Sequence, residues 1–383
     1  MNKLRVLSVF GTRPEAVKMC PLVRELASRP EIESLVCVTA QHRELLDQML
    51  GAFSVKPDYD LDIMEHGQSL SQITSRVLLG MGDVLQEAKP DLVLVHGDTT
   101  TTFTTALAAF YAHIPVGHVE AGLRSFDIRS PWPEEANRRL TGQIADIHFA
   151  PTVQNRENLK RENITSNVFV TGNTVIDALS HTVREDYVFE DAVLRALSKN
   201  DRVIAITAHR RENQGEPMEH MFTAIAMLAD AHPDVVFVYP VHPSPAVREP
   251  AYRILTGKRN ILLLPPVGVL DMHNLMARSL FVMTDSGGLQ EEAPALGKPV
   301  LVMRRETERP EAVRAGTVRV IGTETAAIVA EAEELFLGGE RYMQMAKAVN
   351  PYGDGHACAR IADDLLFWAG RRAAPALDFC PQA

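Results

Sequence analysis

Apolar runs alternate with helical patterns along the first half of the chain. The run LRVLSVF (4–10) ends at a glycine turn and is followed by the helical pattern PEAVKMCPLVRELASR (14–29). Buried strands separated by helices form parallel sheets that are covered by helices on both faces. The other predicted strands of this half are ESLVCVT (33–39), DLVLVHG (91–97), IPVGHVEA (114–121), DIHFAP (146–151) and NVFVTG (167–172), with helices at 42–53, 99–112 and 133–145.

The same alternation starts again after a helical connector. The strand RVIAITA (202–208) precedes the helix EPMEHMFTAIAMLADA (216–231), and further strands follow. The pattern therefore predicts an α/β fold with two doubly wound, Rossmann-like domains that face each other across a cleft. We expect domains at 1–172 and 173–355, a helix at 356–371 that crosses back onto the first domain, and a tail at 372–383. The remaining predicted strands are DVVFVYPV (234–241), NILLLPPV (260–267), LFVMTD (280–285), KPVLVM (298–303) and TVRVIG (317–322).

Composition narrows the class of protein. A chain of 383 residues with 46% hydrophobic and 23% charged residues is long enough for two globular domains. The net charge of −10 argues against a nucleic-acid partner. The four cysteines lack CxxC spacing, and no apolar run approaches the ~20 residues of a membrane span. We expect a soluble, cytoplasmic protein with no membrane partner.

Polar turns follow the predicted strands. In doubly wound sheets, ligands bind at the carboxyl ends of the strands, so these turns predict a ligand site. They share an enrichment in Arg, His, Asp and Glu. The turns are FGTRPEAVK (10–18), TAQHRE (39–44), VHGDTTTT (95–102), HVEAGLR (118–124), TAHRREN (207–213), YPVHPSP (239–245) and TDSGGLQEE (284–292).

The turn DSGGLQEE suits a nucleotide. Gly287 and Gly288 allow a diphosphate to approach the backbone, and Ser286 can cap the following helix or donate to a phosphate oxygen. Glu292 lies one turn further on, where a carboxylate can accept hydrogen bonds from a ribose diol. A solvated helix face is the alternative role of Glu292.

The turn GTRPEAVK places Arg13 at a helix start and Lys18 about one turn inside. A surface Arg–Lys pair is the alternative. The turn lacks the Gly-Lys-Ser ending that a P-loop requires. The chain also has no GxGxxG motif, so a nicotinamide cofactor is disfavoured. Thirteen histidines without HExxH spacing also argue against a metal site.

Three carboxylates, Asp98, Glu120 and Glu134, lie in turns of the first domain. Each has an ordinary structural alternative. Asp98 could be the N-cap of the threonine-rich helix, and Glu134 could pair with Arg138 at i,i+4. His209 follows a strand of the second domain, where a single histidine is unremarkable.

These turns together carry a resemblance. The segments VFGTRPEAVK, TAQHRELLDQ, HGDTTTTFTTALAAF, HVEAGLRS, PWPEEANRRL, TAHRREN and DSGGLQEEAPALGKPVLVMRRETERPEA resemble the non-hydrolysing UDP-N-acetylglucosamine 2-epimerases of bacteria, in order, over residues 5 to 368. The resemblance implies a glycosyltransferase-B type fold, a homodimer, and no cofactor or metal. It implies interconversion of UDP-N-acetylglucosamine and UDP-N-acetylmannosamine for cell-surface polysaccharides.

The chemistry of this reaction fits the residues. The proton on carbon 2 has no adjacent carbonyl, so the workable route is loss of UDP to give a glycal, followed by reprotonation and return of UDP. Such a route needs stabilisation of the leaving group and carboxylates on both faces of the sugar. The first role suits Arg13, His209, Ser286, Gly287 and Gly288, and the second suits Asp98, Glu120 and Glu134.

The resemblance implies further roles. Lys18 matches an active-site lysine, Arg309 matches a substrate-contacting arginine, and Arg138 is counted with the substrate-binding residues. Bacterial members are activated by their own substrate, and the matching positions here are Gln41, His42, Gln68, Arg210 and His242. Packing or surface roles are the alternative for this second set.

Three other functions remain open at the level of sequence. A hydrolysing 2-epimerase would release N-acetylmannosamine and UDP from the same fold. A glycosyltransferase would need an acceptor groove and no acid at carbon 2. A binding module without activity would have lost the carboxylates.

Overall fold

The computed structural model describes residues 2–40, 43–65 and 67–381. The chain divides into two compact units. Unit 1 consists of Met1–His181 and Tyr352–Cys380, and unit 2 consists chiefly of Thr182–Pro351. None of the helices in the described part of the chain is long and apolar enough to cross a membrane.

Unit 1 is built on a parallel sheet with the strand order β3-β2-β1-β4-β5-β6-β7. The register aligns Leu4 of β1 with Ile32 of β2 and Val6 of β1 with Leu92 of β4. The strands are β1 (Leu4–Phe10), β2 (Ile32–Val38), β3 (Tyr59–Asp60), β4 (Leu92–His96), β5 (Val116–Val119), β6 (Ile147–Ala150) and β7 (Val168–Val170).

Helices cover this sheet in two groups. One group packs around α1, which contacts α2 and α16, and the other around α4, which contacts α3 and α5. Strands β1 and β4 are buried almost throughout, so the sheet forms the centre of the core of unit 1. The helices are α1 (Arg13–Ser28), α2 (Arg43–Phe53), α3 (Leu70–Ala88), α4 (Thr100–Tyr111), α5 (Glu134–Ile144), α6 (Val153–Arg161), α7 (Thr174–Thr182) and α16 (Ala357–Trp368).

Unit 2 has a second parallel sheet, with the strand order β10-β9-β8-β11-β12-β13. This is the order of a doubly wound dinucleotide-binding domain. The strands are β8 (Arg202–Thr207), β9 (Val235–Pro240), β10 (Ile261–Leu264), β11 (Ser279–Thr284), β12 (Val300–Val302) and β13 (Val318–Val320). The helices are α8 (Ala192–Arg195), α9 (Glu216–Ala231), α10 (Pro245–Leu255), α11 (Val269–Arg278), α12 (Leu289–Ala295), α13 (Pro310–Ala315), α14 (Thr325–Phe336) and α15 (Glu340–Lys347).

The predicted α/β fold class with two Rossmann-like sheets is confirmed. In each sheet the strand order reverses at one point, between β1 and β4 in unit 1 and between β8 and β11 in unit 2. Ligands of doubly wound sheets bind outside the carboxyl ends of the strands at this point. We therefore expect ligand-binding residues directly after β1, β4, β8 and β11.

The residues after α16 lie along β7, the edge strand of the unit 1 sheet. The backbone N–H of Phe379 donates to the carbonyl oxygen of Val170 at 2.7 Å, and the N–H of Val170 donates to Asp378 at 3.1 Å. Phe379 is buried, and the guanidinium of Arg360 lies 5.4 Å from the centre of its ring. This segment therefore occupies hydrogen-bonding groups that the edge strand would otherwise expose.

Candidate functional site

The turns after β1 and β4 are joined by a buried carboxylate. Thr12 is the N-cap of α1 and forms a capping box with Glu15. The carboxylate of Glu15 accepts the N–H of Gly11 at 3.0 Å and the hydroxyl of Thr99 at 2.8 Å. This arrangement sets Arg13, half-buried, as the first residue of α1. Glu15 was not predicted as a site residue, although the spacing T-x-x-E is a capping-box signal.

Glu120 lies after β5 with a backbone φ of +63°, a left-handed conformation that is uncommon outside glycine. Its side chain is only 9% exposed and forms an ion pair with Lys18. The Asn173 side-chain N–H donates to the same carboxylate at 3.0 Å, and His96 Nε2 lies 3.5 Å from it. Lys18 is thus a partner of Glu120 and not a surface cation.

Opposing effects act on the pKa of Glu120. Burial alone raises it, because a charged carboxylate is poorly solvated inside a protein. The charges of Lys18 and His96 outweigh burial and hold the pKa well below its ordinary value. Glu120 is therefore ionised over the whole physiological pH range.

Asp98 follows β4 and accepts a hydrogen bond from the guanidinium of Arg138. Its structural alternative is wrong, because the N-cap of α4 is Thr99, whose hydroxyl accepts the N–H of Thr102. Burial raises the pKa of Asp98 and Arg138 opposes this effect, while the nearby charge of Glu120 raises it further. The two carboxylates therefore have pKa values that are shifted in opposite directions.

Glu134 is the first residue of α5 and is half-buried. Arg138 contacts Asp98 and, at 3.3 Å, Glu135, so the proposed i,i+4 pair with Glu134 is not the arrangement found. Glu135 is fully buried and accepts the backbone N–H of Ser125 at 3.0 Å. Three residues of this site were not predicted from the sequence, because no local motif marks their partners. They are Glu135, Asn173 and His96.

In unit 2, Asp285 joins the turns after β8 and β11. This buried carboxylate accepts the backbone N–H of His209 and of Arg210, each at 2.9 Å, and the side-chain N–H of Asn213 at 3.1 Å. Asp285 stands directly before the glycine turn. It was also missed as a site residue, although it belongs to the quoted motif.

His209 and His242 lie side by side in unit 2. Their ring centres are 5.7 Å apart with an interplanar angle of 20°. Burial lowers the pKa of His209, and the charge of Asp285 opposes this effect. Both rings and Arg210 line a cavity of about 440 Å³.

The glycine turn after β11 leads into α12. The N-cap of α12 is Gly288, so of the two roles expected for Ser286 the helix cap is not the one found. Ser286 instead donates its backbone N–H to the hydroxyl of Thr284 at 2.9 Å. A Cβ atom on Gly287 would lie 2.5 Å from Oε1 of Glu308, so glycine allows a close approach at this position.

Arginines are concentrated around this turn. Arg210 donates to Glu308 at 2.9 Å, and Arg304 also contacts Glu308. Burial raises the pKa of Glu308, but Arg309, Arg210 and Arg304 lower it to about 2. The guanidinium of Arg210 would lie 3.1 Å from a Cβ atom on Gly287, and a cation beside glycine backbone suits an anion such as a diphosphate.

The two glutamates of α12 have different partners. Glu292 is 15% exposed and lies 3.3 Å from Nε2 of His273, so it is not on a solvated helix face. Glu291 is buried and forms an ion pair with Arg309. Arg309 is therefore bound to a carboxylate of its own unit.

The residues assigned to activation are spread over both units. Gln68 donates its side-chain N–H to the carbonyl oxygen of Ile63. Gln41 and His42 lie outside the described residues.

Within the described residues, no group of three or more His, Cys, Asp or Glu side chains could hold a metal ion.

Comparison with known proteins gives one consistent family. A family model described as UDP-N-acetylglucosamine 2-epimerase matches residues 24–366. The UDP-N-acetylglucosamine 2-epimerase of Bacillus subtilis is 55% identical over 373 residues, which cover 97% of this chain and 97% of that protein.

Solved structures agree with the sequence relatives. The chain is similar to the UDP-GlcNAc 2-epimerase of Neisseria meningitidis bound to UDP-GlcNAc, with a TM-score of 0.86, 50% identity, and coverage of 95% of this chain and 100% of that one. It is also similar to the Methanocaldococcus jannaschii UDP-GlcNAc 2-epimerase in complex with UDP-GlcNAc and UDP, with a TM-score of 0.76, 32% identity, and coverage of 95% and 99%.

The ion pair between Lys18 and Glu120 predicts a pH-dependent loss of stability in Lys18→Met. At pH 8 we expect a destabilisation of about 3 kcal/mol, because the variant buries Glu120 without its main counter-charge. The depressed pKa of Glu120 contributes stability above the unfolded-state pKa, and this contribution is lost as the pH falls. The loss should therefore shrink as the pH falls, because burial raises the pKa of Glu120 once Lys18 is removed and the variant then protonates this carboxylate more readily. Denaturant unfolding at pH 8 and at about pH 5 measures it.

Lys160→Met is the matched control. Lys160 lies 3.8 Å from Glu157 in an ion pair of the same unit, but its side chain is 66% exposed. We expect a change of less than about 0.5 kcal/mol at either pH. Equal effects of the two substitutions would contradict a buried role for Lys18.

Proposed function

The chain belongs to the UDP-N-acetylglucosamine 2-epimerase family, and from that premise we propose that its reaction proceeds by elimination and re-addition of UDP. The enzyme is an isomerase that interconverts UDP-N-acetylglucosamine and UDP-N-acetylmannosamine. The observation that supports the proposed route is the pair of neighbouring carboxylates in unit 1, whose pKa values are shifted in opposite directions. We also propose that the product supplies cell-surface polysaccharide synthesis.

The first half of the reaction breaks two bonds. A carboxylate takes the proton from carbon 2, a carbon–carbon double bond forms between carbons 1 and 2, and the bond from carbon 1 to the phosphate oxygen breaks. UDP departs with the electron pair of that bond and leaves a glycal. In the second half, a proton is delivered to the opposite face of carbon 2, and UDP adds back to carbon 1.

The environments of the carboxylates suggest their roles. Glu120 is held ionised by Lys18 and His96, so it can accept a proton but holds one poorly. Burial and the charge of Glu120 raise the pKa of Asp98, so Asp98 is better able to carry a proton. Glu134, at the start of α5, is the third proposed acid.

The turns of unit 2 suit the leaving group. We propose that Ser286, Gly287 and Gly288 bind the diphosphate and that His209 donates a hydrogen bond to it. We propose that the backbone N–H groups of this turn stabilise the departing UDP anion. We propose Glu292 as the ligand of the ribose diol, and we assign Arg13, Lys18, Arg138 and Arg309 to substrate binding.

The route predicts incorporation of solvent deuterium. Proton NMR of the enzyme with UDP-N-acetylglucosamine in heavy water should show UDP-N-acetylmannosamine that carries deuterium at carbon 2. Asp98→Asn, Glu120→Gln and Glu134→Gln should each lower turnover by about 100-fold or more, because each removes a proton-transfer group, while the affinity for UDP is retained.

The outcomes of this experiment separate the alternatives. Free N-acetylmannosamine with UDP would assign the chain to hydrolysing enzymes. Bound UDP with no turnover over hours would indicate a transferase or a binding module. Near-normal rates in all three variants would refute the site assignment. Glu157→Gln, on the exposed face of α6, is the control.

The ribose role of Glu292 is tested by Glu292→Ala. Loss of two hydrogen bonds from a carboxylate to the diol should weaken UDP binding by about 10- to 100-fold in calorimetry. Glu249→Ala on the exposed side of α10 should leave the affinity unchanged. Equal affinities in both variants would remove Glu292 from the nucleotide site.

A second molecule of UDP-N-acetylglucosamine is proposed as an activator. The candidate residues are Gln41, His42, Gln68, Arg210 and His242. The cavity of about 440 Å³ beside Arg210 and His242 supports this proposal, because it offers a cation and two imidazoles to an anionic ligand. A strictly hyperbolic dependence of the forward rate on substrate concentration would contradict activation.

We propose that the enzyme is a homodimer. Large apolar side chains are exposed on the neighbouring helices α3, α4 and α5, with Leu79 at 74%, Phe110 at 58% and Leu140 at 48% exposure. Such residues on adjacent helices are typical of a self-association surface. Sedimentation equilibrium that gives the mass of one chain would contradict the dimer.

Cytoplasmic localisation is proposed on the state of the thiols. Cys20, Cys37 and Cys358 are buried free thiols, as is usual in a reducing compartment. Cell fractionation that places the enzyme outside the cytoplasm would contradict it.

We also propose that the two compact units are separate domains. Limited proteolysis near residues 181–182 and 351–352, where the chain passes between the units, tests this proposal.

A further inference from the structure

Asn173 makes polar contacts on three sides. Its side-chain N–H donates to Glu120 at 3.0 Å, and its side-chain oxygen accepts the backbone N–H of Val175 at 3.1 Å. Its own backbone N–H donates to the carbonyl oxygen of Tyr352 at 2.6 Å. The bond from Val175 fixes which end of the amide is the oxygen, so the N–H groups point to Glu120.

Asn173 lies where two distant parts of the chain meet in unit 1. Residues 172–175 precede the passage of the chain into unit 2, and Tyr352 is the first residue after its return. Gly172 and Gly353 pack closely there, because a Cβ on Gly172 would lie 3.4 Å from Cα of Gly353. A Cβ on Gly353 would lie 3.0 Å from Cγ1 of Ile176.

We propose that Asn173 is a positioning residue that holds the carboxylate of Glu120 and links its orientation to two adjoining segments of unit 1, 172–175 and 352–353. The proposal rests on the role of Glu120 in the proposed function. The path is short and continuous, from the carbonyl of Tyr352 through the backbone and side chain of Asn173 to the carboxylate. A displacement of either segment would therefore move a hydrogen-bond donor of Glu120.

The position of this donor matters because several charged and polar side chains lie around the carboxylate of Glu120. Lys18 on α1 is its cationic partner, Nε2 of His96 at the end of β4 lies 3.5 Å away, and the charges of Glu120 and Asp98 interact. The φ of +63° at Glu120 is a strained backbone conformation, which persists only where the surrounding structure fixes it. Lys18 is a flexible chain with rotatable donors, whereas the planar amide of Asn173 supplies direction.

Asn173→Asp is the most direct test. Aspartate keeps the acceptor for Val175 but replaces the donor to Glu120 with a carboxylate. We expect kcat to fall by about tenfold or more, with UDP affinity within about twofold of the parent protein. The midpoint of the Glu120 titration, followed by 13C NMR of glutamate carboxyl groups, should rise by about one pH unit. The missing signal in Glu120→Gln assigns the resonance.

Gly353→Ala tests the same link without touching Glu120. The added Cβ would press on Ile176 and displace the contact between segments 352–353 and 172–176 by a few tenths of an ångström. We expect the Glu120 midpoint to shift in the same direction, by less than in Asn173→Asp. This variant also keeps the proposal testable if Asn173→Asp does not fold.

Asn167→Asp is the matched control. Its side chain donates to the carbonyl oxygen of Asp146, at the amino end of the strands of unit 1. It should leave both kcat and the Glu120 titration unchanged. An unchanged Glu120 midpoint and kcat in a folded Asn173→Asp would overturn the proposal. Normal turnover in Glu120→Gln would instead refute the proposed role of Glu120, so the two failures are distinguishable.

Discussion

The need to compensate one buried carboxylate organises the site of unit 1. Glu120 is 9% exposed and has a left-handed backbone, a conformation that costs about 1–3 kcal/mol. An unpaired charge at this depth would cost several kcal/mol, which is a large part of what a domain gains from folding. Lys18 and Asn173 remove this cost, and they come from segments more than 50 positions away in the chain. The sheet topology is what brings them together.

Unit 2 solves a similar problem with different donors. Asp285 is fully buried, yet its partners are the backbone N–H groups of His209 and Arg210 and the amide of Asn213. Backbone donors fix the shapes of two turns at once, whereas the ion pair of Glu120 fixes side chains. A turn held in this way can present glycine N–H groups to a ligand with little loss of conformational entropy on binding.

The strands could be predicted from the sequence because buried parallel strands are apolar on both faces. The run LRVLSVF is an example, and it forms β1 (Leu4–Phe10). The site turns were readable because ligands gather at the carboxyl ends of such strands. Asn173 and His96 were not, because their importance depends on a partner far away in the chain. Ser286 does not cap α12, because the helix begins at Leu289 after Gly288, two residues later than a cap at Ser286 requires.

The segment that covers β7 has a consequence for the solution behaviour of the protein. An exposed parallel edge strand is a template on which other chains can add strands and aggregate. Here Asp378 and Phe379 occupy that edge through Val170, and the ring of Phe379 is shielded from water. A fusion partner joined directly after these residues would disturb the hydrogen bonds of Asp378 and Phe379 with Val170. Purification handles are therefore better placed at the amino terminus, and a carboxyl-terminal one needs a flexible spacer.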